Sequence, residues 1–220
     1  MSRDLFPRHY FMTGKQTNIL IGVKYMRINK NSRAAKVPFI KPNVNILFQI
    51  DFKRDDGKPK DPGTNIHKFG CNFMCCLAVP QFMNRKKLTM KEIVNIYMYA
   101  VKSHWISITC GVDKPVELMN YAAQILGDKK YSYANVFVKG VESGQDWNTK
   151  SFQQTSTLPG NGNIYFMIVD FLTGSNAEYG GHHFELFNAI GTLMYDPANA
   201  TVNRYKGVNK ISCYKVSLRK

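Results

Sequence analysis

The chain has 220 residues, of which 44% are hydrophobic and 13% aromatic, and this excludes a wholly disordered protein and allows a core of ordinary domain size. Thirty Lys and Arg residues stand against fifteen Asp and Glu residues, which gives a formal net charge of +15. Such a charge favours an anionic partner, for example nucleic acid, an acidic envelope polymer or an acidic protein. Five cysteines, three of them within positions 71 to 76, argue against a disulfide framework.

The first residues resemble neither a secretory signal nor a membrane anchor. Arg3, Asp4 and Arg8 interrupt them with charge, and the apolar stretch 19–23 ends at Lys24. No apolar segment of the sequence is long enough to span a bilayer. We therefore expect a reducing cytoplasmic location, with delivery by a phage as the alternative route to another compartment.

Residues 1–64 are predicted to form a basic N-terminal extension that contains strands. Residues 1–41 hold nine basic residues against a single acid, Asp4, a net charge of +8. Period-two hydrophobic patterns at 19–25 and 44–52 predict two half-buried strands. The polar and proline-containing stretch 29–41 between them is typical of a mobile connection.

A cluster of turn-forming residues at 55–63 predicts the boundary to a second domain, which we place at residues 65–220. The character of the sequence changes to helix after this cluster. Residues 71–79 are apolar almost throughout, which indicates a buried helix, and Pro80 is expected to end or bend it.

Two more helices are predicted from their start signals. Thr89 and Glu92 have the spacing of a capping box ahead of a helical hydrophobic pattern. Asp113 ahead of Pro115 begins the other helix, which Gly127 is expected to stop.

The remaining sequence favours strands, at 133–138, 164–172, 183–187 and 192–195. A short turn at 188–191 separates the last two and predicts a hairpin. Helices followed by an antiparallel sheet predict an α+β fold with segregated layers.

Cys71 is the candidate nucleophile. A cysteine in the first turn of a helix lies near unpaired N–H groups and the positive end of the helix dipole, which favour the reactive thiolate. Gly70 allows a tight turn just before it. We expect the other cysteines to be small buried hydrophobic residues: Cys75, Cys76, Cys110 and Cys213.

His183 and Asp196 are the candidate partners of the thiol. The predicted hairpin would bring them side by side, so that the carboxylate could hold the imidazole in one tautomer. His182 should point to the opposite face of its strand, so only one of the two histidines can reach the thiol. A metal site built from His182, His183, Glu185 and Cys71 matches no zinc-ligand spacing, and the sequence indicates neither a metal nor a cofactor.

These motifs carry a resemblance to a known family. Residues 71–78, CNFMCCLA, resemble the Cys-Gly-Pro-Ala-Cys-Leu-Ala helix start of the bacteriocin-processing, double-glycine type of papain-like cysteine peptidase. Gly181 to Phe184 and Tyr195-Asp196-Pro197 are similar to the Gly-His-Phe and Asp-Pro elements of that family. Residues 66–126 also resemble an uncharacterised family of bacterial plasmid- and prophage-borne proteins that look like cysteine hydrolases. The likeness covers about residues 65 to 200.

The resemblance implies a papain-like cysteine hydrolase core behind a basic extension. It implies that Cys71 is the nucleophile, His183 the general base and acid, and Asp196 the orienting carboxylate. The peptidases carry a glutamine shortly before the cysteine that helps to hold the oxyanion, and here Asn65 is the candidate for that role. The implied activity is cleavage of a peptide or amide bond, as in a phage- or plasmid-encoded protease or a peptidoglycan amidase.

The alternative is a noncatalytic papain-like protein that uses its basic surface to bind nucleic acid or a host protein. The positive charge of residues 1–41 favours this hypothesis. The sequence contains no helix-turn-helix spacing, zinc-ligand pairs or aromatic RNA-binding strand motif, which speaks against it.

Overall fold

The computed structural model describes residues 44–52, 61–140, 164–172, 181–188, 193–199 and 207–219. Within them, helices are followed by a five-stranded antiparallel sheet, which confirms the predicted α+β class. The predicted strand at 19–25, the connection 29–41 and the turn 189–191 lie outside the described residues.

Helix α1 (Pro62–Phe69) was not predicted, because its first residues belong to the cluster of turn formers. The turn-forming residues at the end of this cluster, Asp61 and Pro62, in fact begin the helix. Asp61 is the N-cap and its carboxylate accepts a hydrogen bond from Thr64 N at 2.8 Å, while Pro62 occupies the first turn. The proposed domain boundary at 64/65 falls within this helix.

Helix α2 (Cys71–Asn84) continues past Pro80, where the sequence led us to expect an end or a bend. Every residue from 73 to 83 is buried, and packing on all sides outweighs the cost of a proline in the helix. Side-chain amides supply extra hydrogen bonds around the proline, from Gln81 to Leu77 O and from Asn84 to Pro80 O. The helix ends at Asn84, and the next residue, Arg85, has a left-handed backbone conformation (φ 53°).

Helices α3 (Met90–Lys102) and α4 (Pro115–Ile125) begin at the predicted signals. Thr89 and Glu92 form the complete capping box, since Glu92 N donates to the Thr89 hydroxyl and Thr89 N donates to the Glu92 carboxylate. Pro115 is the first residue of α4.

The strands are β1 (Tyr131–Gly140), β2 (Ile164–Leu172), β3 (His182–Asn188), β4 (Leu193–Tyr195) and β5 (Gly207–Leu218), in the spatial order β1-β5-β2-β3-β4. The first four match predicted strands. Strand β5 was not predicted, although it is the longest and pairs with both β1 and β2. Its C-terminal half does show a period-two pattern, because Tyr214, Val216 and Leu218 alternate with Lys215 and Ser217.

The helices cover one face of the sheet, and α2 contacts both β2 and β3. Buried side chains of α2, α3 and α4 share one core with the face of the sheet that carries Phe166, Ile168, Leu186 and Tyr214. None of the helices in the described part of the chain is long and apolar enough to cross a membrane.

The predicted strand at 44–52 is wrong: this segment is irregular from 44 to 48 and then forms a 3-10 helix, Gln49–Asp51. Its backbone bonds to the loop after β4 instead of to a neighbouring strand, since Gln49 N donates to Pro197 O at 2.8 Å. The Tyr195 hydroxyl donates to Leu47 O, and Phe48 stacks on the Tyr195 ring at 5.7 Å. The segment therefore packs beside the end of β4.

Candidate active site

Cys71 is the first residue of α2, as predicted from the sequence, and is 5% exposed. Gly70 joins α1 to α2 and serves both helices, because its N–H donates to Ile66 O and its carbonyl accepts from Met74 N. A Cβ atom at Gly70 would overlap the Ile66 carbonyl group. The glycine thus permits the close junction that places the Cys71 thiol at the N-terminal end of α2.

His183 and Asp196 are hydrogen-bonded, with 2.8 Å between His183 Nε2 and Asp196 Oδ1. Pairing of β3 with β4 brings them together, since Leu186 lies opposite Tyr195 in the ladder. Asp196 Oδ1 also accepts the N–H of Ala198, which fixes the carboxylate at the start of the turn. The His183 side chain is fully buried and that of Asp196 is 15% exposed.

The environment of His183 favours its protonated form. Burial acts to lower the pKa of His183, but hydrogen bonds to Asp196 and Cys71 and the charges of the same two groups raise it from 6.5 to about 9. Asp196 holds Nε2, so Nδ1 is the ring nitrogen available to the thiol. The structure thus brings together the thiol, imidazole and carboxylate that the sequence singles out.

His182 lies in a different environment from its neighbour. Its side chain is 47% exposed, and Nδ1 lies 3.0 Å from Asp170 Oδ1. The other Asp170 oxygen accepts from the amide of Asn209 at 2.6 Å. As the alternation of a strand requires, the two histidines occupy opposite faces.

Asn65, the candidate oxyanion donor, is buried in α1, and its side-chain amide donates to the Tyr97 hydroxyl at 3.1 Å. The Tyr97 hydroxyl donates in turn to Ile108 O at 2.6 Å. These contacts tie Asn65 to α3 and the loop after it, and its oxyanion role stays a prediction.

Gln49 is a buried amide near the site that the sequence did not single out. Its Nε2 donates to His67 O at 2.6 Å, and its backbone N–H bonds to Pro197 O, the residue after Asp196. Its Oε1 atom has no hydrogen-bond donor among the described residues. The hydrophobic alternation of 44–52 predicted a strand that included Gln49, and a strand prediction does not indicate that Gln49 bridges His67 and Pro197.

The four other cysteines are buried thiols without reactive character. Burial raises the pKa of Cys213 to about 12. Burial is also the largest cause that raises the pKa of the remaining three well above the normal thiol range: Cys75, Cys76 and Cys110. Thiols of this kind stay protonated at neutral pH.

Glu185 is a second carboxylate beside the His183–Asp196 pair. It lies two residues after His183 on β3 and is 7% exposed. One ligating atom from each of His183, Glu185 and Asp196 lies within 4.8 Å of the other two. The sequence places Glu185 near His183 but gives no indication that it meets Asp196.

Comparison of the chain with protein-family models, with curated proteins and with solved structures finds no match in any of the three.

Proposed function

We propose that the chain is a papain-like thiol hydrolase that cleaves a peptide or amide bond with Cys71, His183 and Asp196. The observation that carries the proposal is the buried imidazole of His183, which is hydrogen-bonded to Asp196 through Nε2 and lies close enough to Cys71 for that thiol to raise its pKa. A nucleophile, a base within reach and a group that orients the base are the three parts that thiol catalysis requires.

Each of the three residues has a role that follows from its position. Cys71 gives its thiol proton to His183, and the sulfur attacks the carbonyl carbon of the substrate. Asp196 holds Nε2 and stabilises the imidazolium that forms. The N-terminal end of α2, where Cys71 lies, favours the negative charge on sulfur, because the first N–H groups of a helix have no acceptor within it and carry partial positive charge.

The reaction then proceeds as an acyl transfer in two halves. The C–N bond of the tetrahedral intermediate breaks while His183 donates its proton to the departing amine, and a thioester to Cys71 remains. Water, deprotonated by His183, attacks the thioester carbon and releases the acid and the free thiol. In both halves the oxyanion needs donors, for which the Cys71 N–H and Asn65 are the proposed sources.

Selective alkylation tests the activated thiol. The protein is treated with iodoacetamide at neutral pH, and the modification of each of the five cysteines is followed by mass spectrometry. We expect Cys71 to react first, and we expect His183→Ala to slow its reaction about tenfold or more, because the thiolate then loses its partner. Equal labelling of all five cysteines would contradict the proposal.

His182→Ala is the matched control, since it removes the neighbouring imidazole, which pairs with Asp170. We expect it to leave the alkylation rate of Cys71 unchanged. Hydrolysis itself is assayed with peptide mixtures and with peptidoglycan fragments. Release of amines by the wild type but not by Cys71→Ala would identify the substrate class, and equal release by both would show that Cys71 is not the nucleophile.

A further inference from the structure

Two carboxylates, one buried and one partly buried, lie beside His183, and the proposed triad uses only one of them. Glu185 is 7% exposed and the Asp196 side chain is 15% exposed. Their ligating oxygens lie within 4.8 Å of each other and of a ring nitrogen of His183. Three groups that metals prefer as ligands therefore meet in a small volume with little access to water.

The charges of this cluster fit a divalent cation. Two ionised carboxylates at this distance repel each other, and a protonated His183 offsets one of the two negative charges. A divalent cation offsets both while His183 is neutral and binds as a nitrogen ligand. The site with the metal is then electrically neutral, which lowers the cost of its burial.

We propose that His183, Glu185 and Asp196 form a binding site for a divalent metal ion of the Zn²⁺ class. Zn²⁺ binds imidazole nitrogen and carboxylate oxygen at about 2.0 to 2.2 Å, which separates tetrahedral ligands by about 3.4 Å. The ligand atoms lie within 4.8 Å of one another, and the ion would replace the 2.8 Å hydrogen bond between His183 and Asp196, so the side chains need to adjust to reach that separation. Ca²⁺ and Mg²⁺ prefer six or more oxygen ligands and are not suited to this set.

From the sequence we expected no metal at His183, because the ligand set considered there, which included His182 and lacked Asp196, matches no zinc-ligand spacing. Strand alternation places His182 with Asp170 instead, and the β3–β4 pairing brings Asp196 to His183. The resulting set has no short sequence spacing, since Asp196 lies 13 residues from His183.

The metal also acts as an inhibitor, a consequence that rests on the proposed thiol chemistry, whereas the metal site itself does not. A metal ion bound to His183 occupies a ring nitrogen, and the imidazole can then no longer take the proton of Cys71. The thiol then lacks its base. A site of this kind would switch the hydrolase off where zinc is plentiful.

Zinc binding to the full-length chain tests the site directly. The protein is stripped with EDTA, desalted and titrated with Zn²⁺ in a calorimeter. We expect the wild type to bind zinc and Glu185→Gln to bind it about 100-fold more weakly or worse. Loss of an outer-shell partner alone can cost about 100-fold, and Glu185 is proposed as a direct ligand. Glu117→Gln, which alters an exposed glutamate of α4, is the matched control and should bind as the wild type does. Unchanged binding by Glu185→Gln, or no binding by the wild type, would overturn the proposal.

Cysteines can also bind zinc, so the experiment is repeated with Cys71→Ser and with Co²⁺ as a spectroscopic probe. We expect Cys71→Ser to retain a site that still depends on Glu185. Binding that is lost in Cys71→Ser and kept in Glu185→Gln would place the metal on thiols and refute the assignment.

If Glu185→Gln does not fold, NMR of the histidine rings of the wild type tests the site instead. Zn²⁺ should shift the ring signals of His183 and spare those of His182, and unmoved His183 signals would overturn the proposal.

Alkylation separates the inhibitory role from the site. We expect Zn²⁺ to slow the reaction of Cys71 with iodoacetamide about tenfold or more in the wild type and to have little effect in Glu185→Gln. Zinc binding without slower alkylation would overturn the inhibitory role. Slow alkylation of Cys71 in the metal-free wild type would instead contradict the proposed function, and the binding data would stand.

Discussion

The thiol of Cys75 donates a hydrogen bond to the backbone carbonyl of Phe184 at a sulfur–oxygen distance of 3.4 Å. Cys75 lies one helical turn after Cys71, and Phe184 directly follows His183. This contact therefore joins α2 to β3 next to the two residues proposed to exchange a proton. Burial, together with the nearby Cys71, Cys76, Glu185 and Asp196, raises the pKa of Cys75 and keeps its thiol protonated as a donor.

We expect Cys75→Ala to disturb the site as well as the core. The substitution leaves a small cavity and removes the thiol's hydrogen bond to the Phe184 carbonyl, which should lower the free energy of unfolding by about 1 to 3 kcal/mol in urea titrations. It should also slow alkylation of Cys71, because β3 is less firmly held to α2. Cys213→Ala, a second fully buried cysteine on β5, is the control and should destabilise the fold without slowing Cys71. Equal effects of both variants on Cys71 would show that the Cys75 contact has no positioning role.

The protonation of His183 is measurable by NMR in EDTA-treated protein. Asp196 and Cys71 outweigh burial and raise its pKa to about 9, so the ring should stay protonated through neutral pH. Since the raised pKa belongs to the folded state, the stability it confers is fully present below 6.5 and is lost as the pH rises through about 9. Asp196→Asn should bring the pKa of His183 back toward or below 6.5. In urea titrations at several pH values, the free energy of unfolding of this variant should then fall less as the pH rises. A wild-type pKa near 6.5 would contradict the described surroundings of the ring.

The sequence predicted the local features of the site well, because each depends on short-range rules. The first turn of a helix at Cys71, strand alternation at His182 and His183, and the β3–β4 pairing need only periodicity and turn signals. The His183–Asp196 contact follows from that pairing. The papain-like fold and the activity of the chain remain proposals.

The features that the sequence did not reveal depend on contacts between distant segments. Strand β5 lies between β1 and β2 in the sheet, yet polar residues such as Asn209 and Lys210 weaken the pattern of its first half. Gln49 is held by a bond to the loop after β4, and Glu185 of β3 lies close to Asp196 at the start of that loop, and no local rule predicts either contact. The continuation of α2 through Pro80 likewise reflects burial by the rest of the fold.

Asp128 is predicted to be a structural carboxylate whose loss weakens the junction of α4 and β1. Burial acts to raise its pKa, but the amide of Asn84, the N–H groups of Lys130 and Tyr131 and the hydroxyl of Tyr133 lower it below 3.8. Asp128→Asn should reduce the free energy of unfolding at pH 7 by about 2 to 3 kcal/mol, since an amide cannot accept all four bonds.

The effect of Asp128→Asn should depend on pH in one direction. The stabilisation by a carboxylate with a lowered folded pKa is present above 3.8 and is lost as the pH falls through the folded pKa. The difference between wild type and variant in urea titrations should therefore shrink at acid pH. Asp113→Asn, which alters an exposed carboxylate before α4, should change little at any pH. A pH-independent difference between wild type and Asp128→Asn would show that the charge of Asp128 is not the cause.

Gly70→Ala tests whether the junction of α1 and α2 positions the thiol. The backbone of Gly70 has φ −80°, which alanine adopts freely, so the only obstacle is the overlap of a Cβ atom with the Ile66 carbonyl. To relieve it the two helices must shift, at a cost of about 1 to 3 kcal/mol, and Cys71 moves with the start of α2. Alkylation of Cys71 should slow accordingly. Gly127→Ala is the control, because Gly127 has a positive φ of 73° and lies after α4, away from Cys71 in the sequence. It should lower the free energy of unfolding by about 1 kcal/mol and leave Cys71 as reactive as in the wild type. If both variants lower stability and neither alters Cys71, the close junction serves the fold alone.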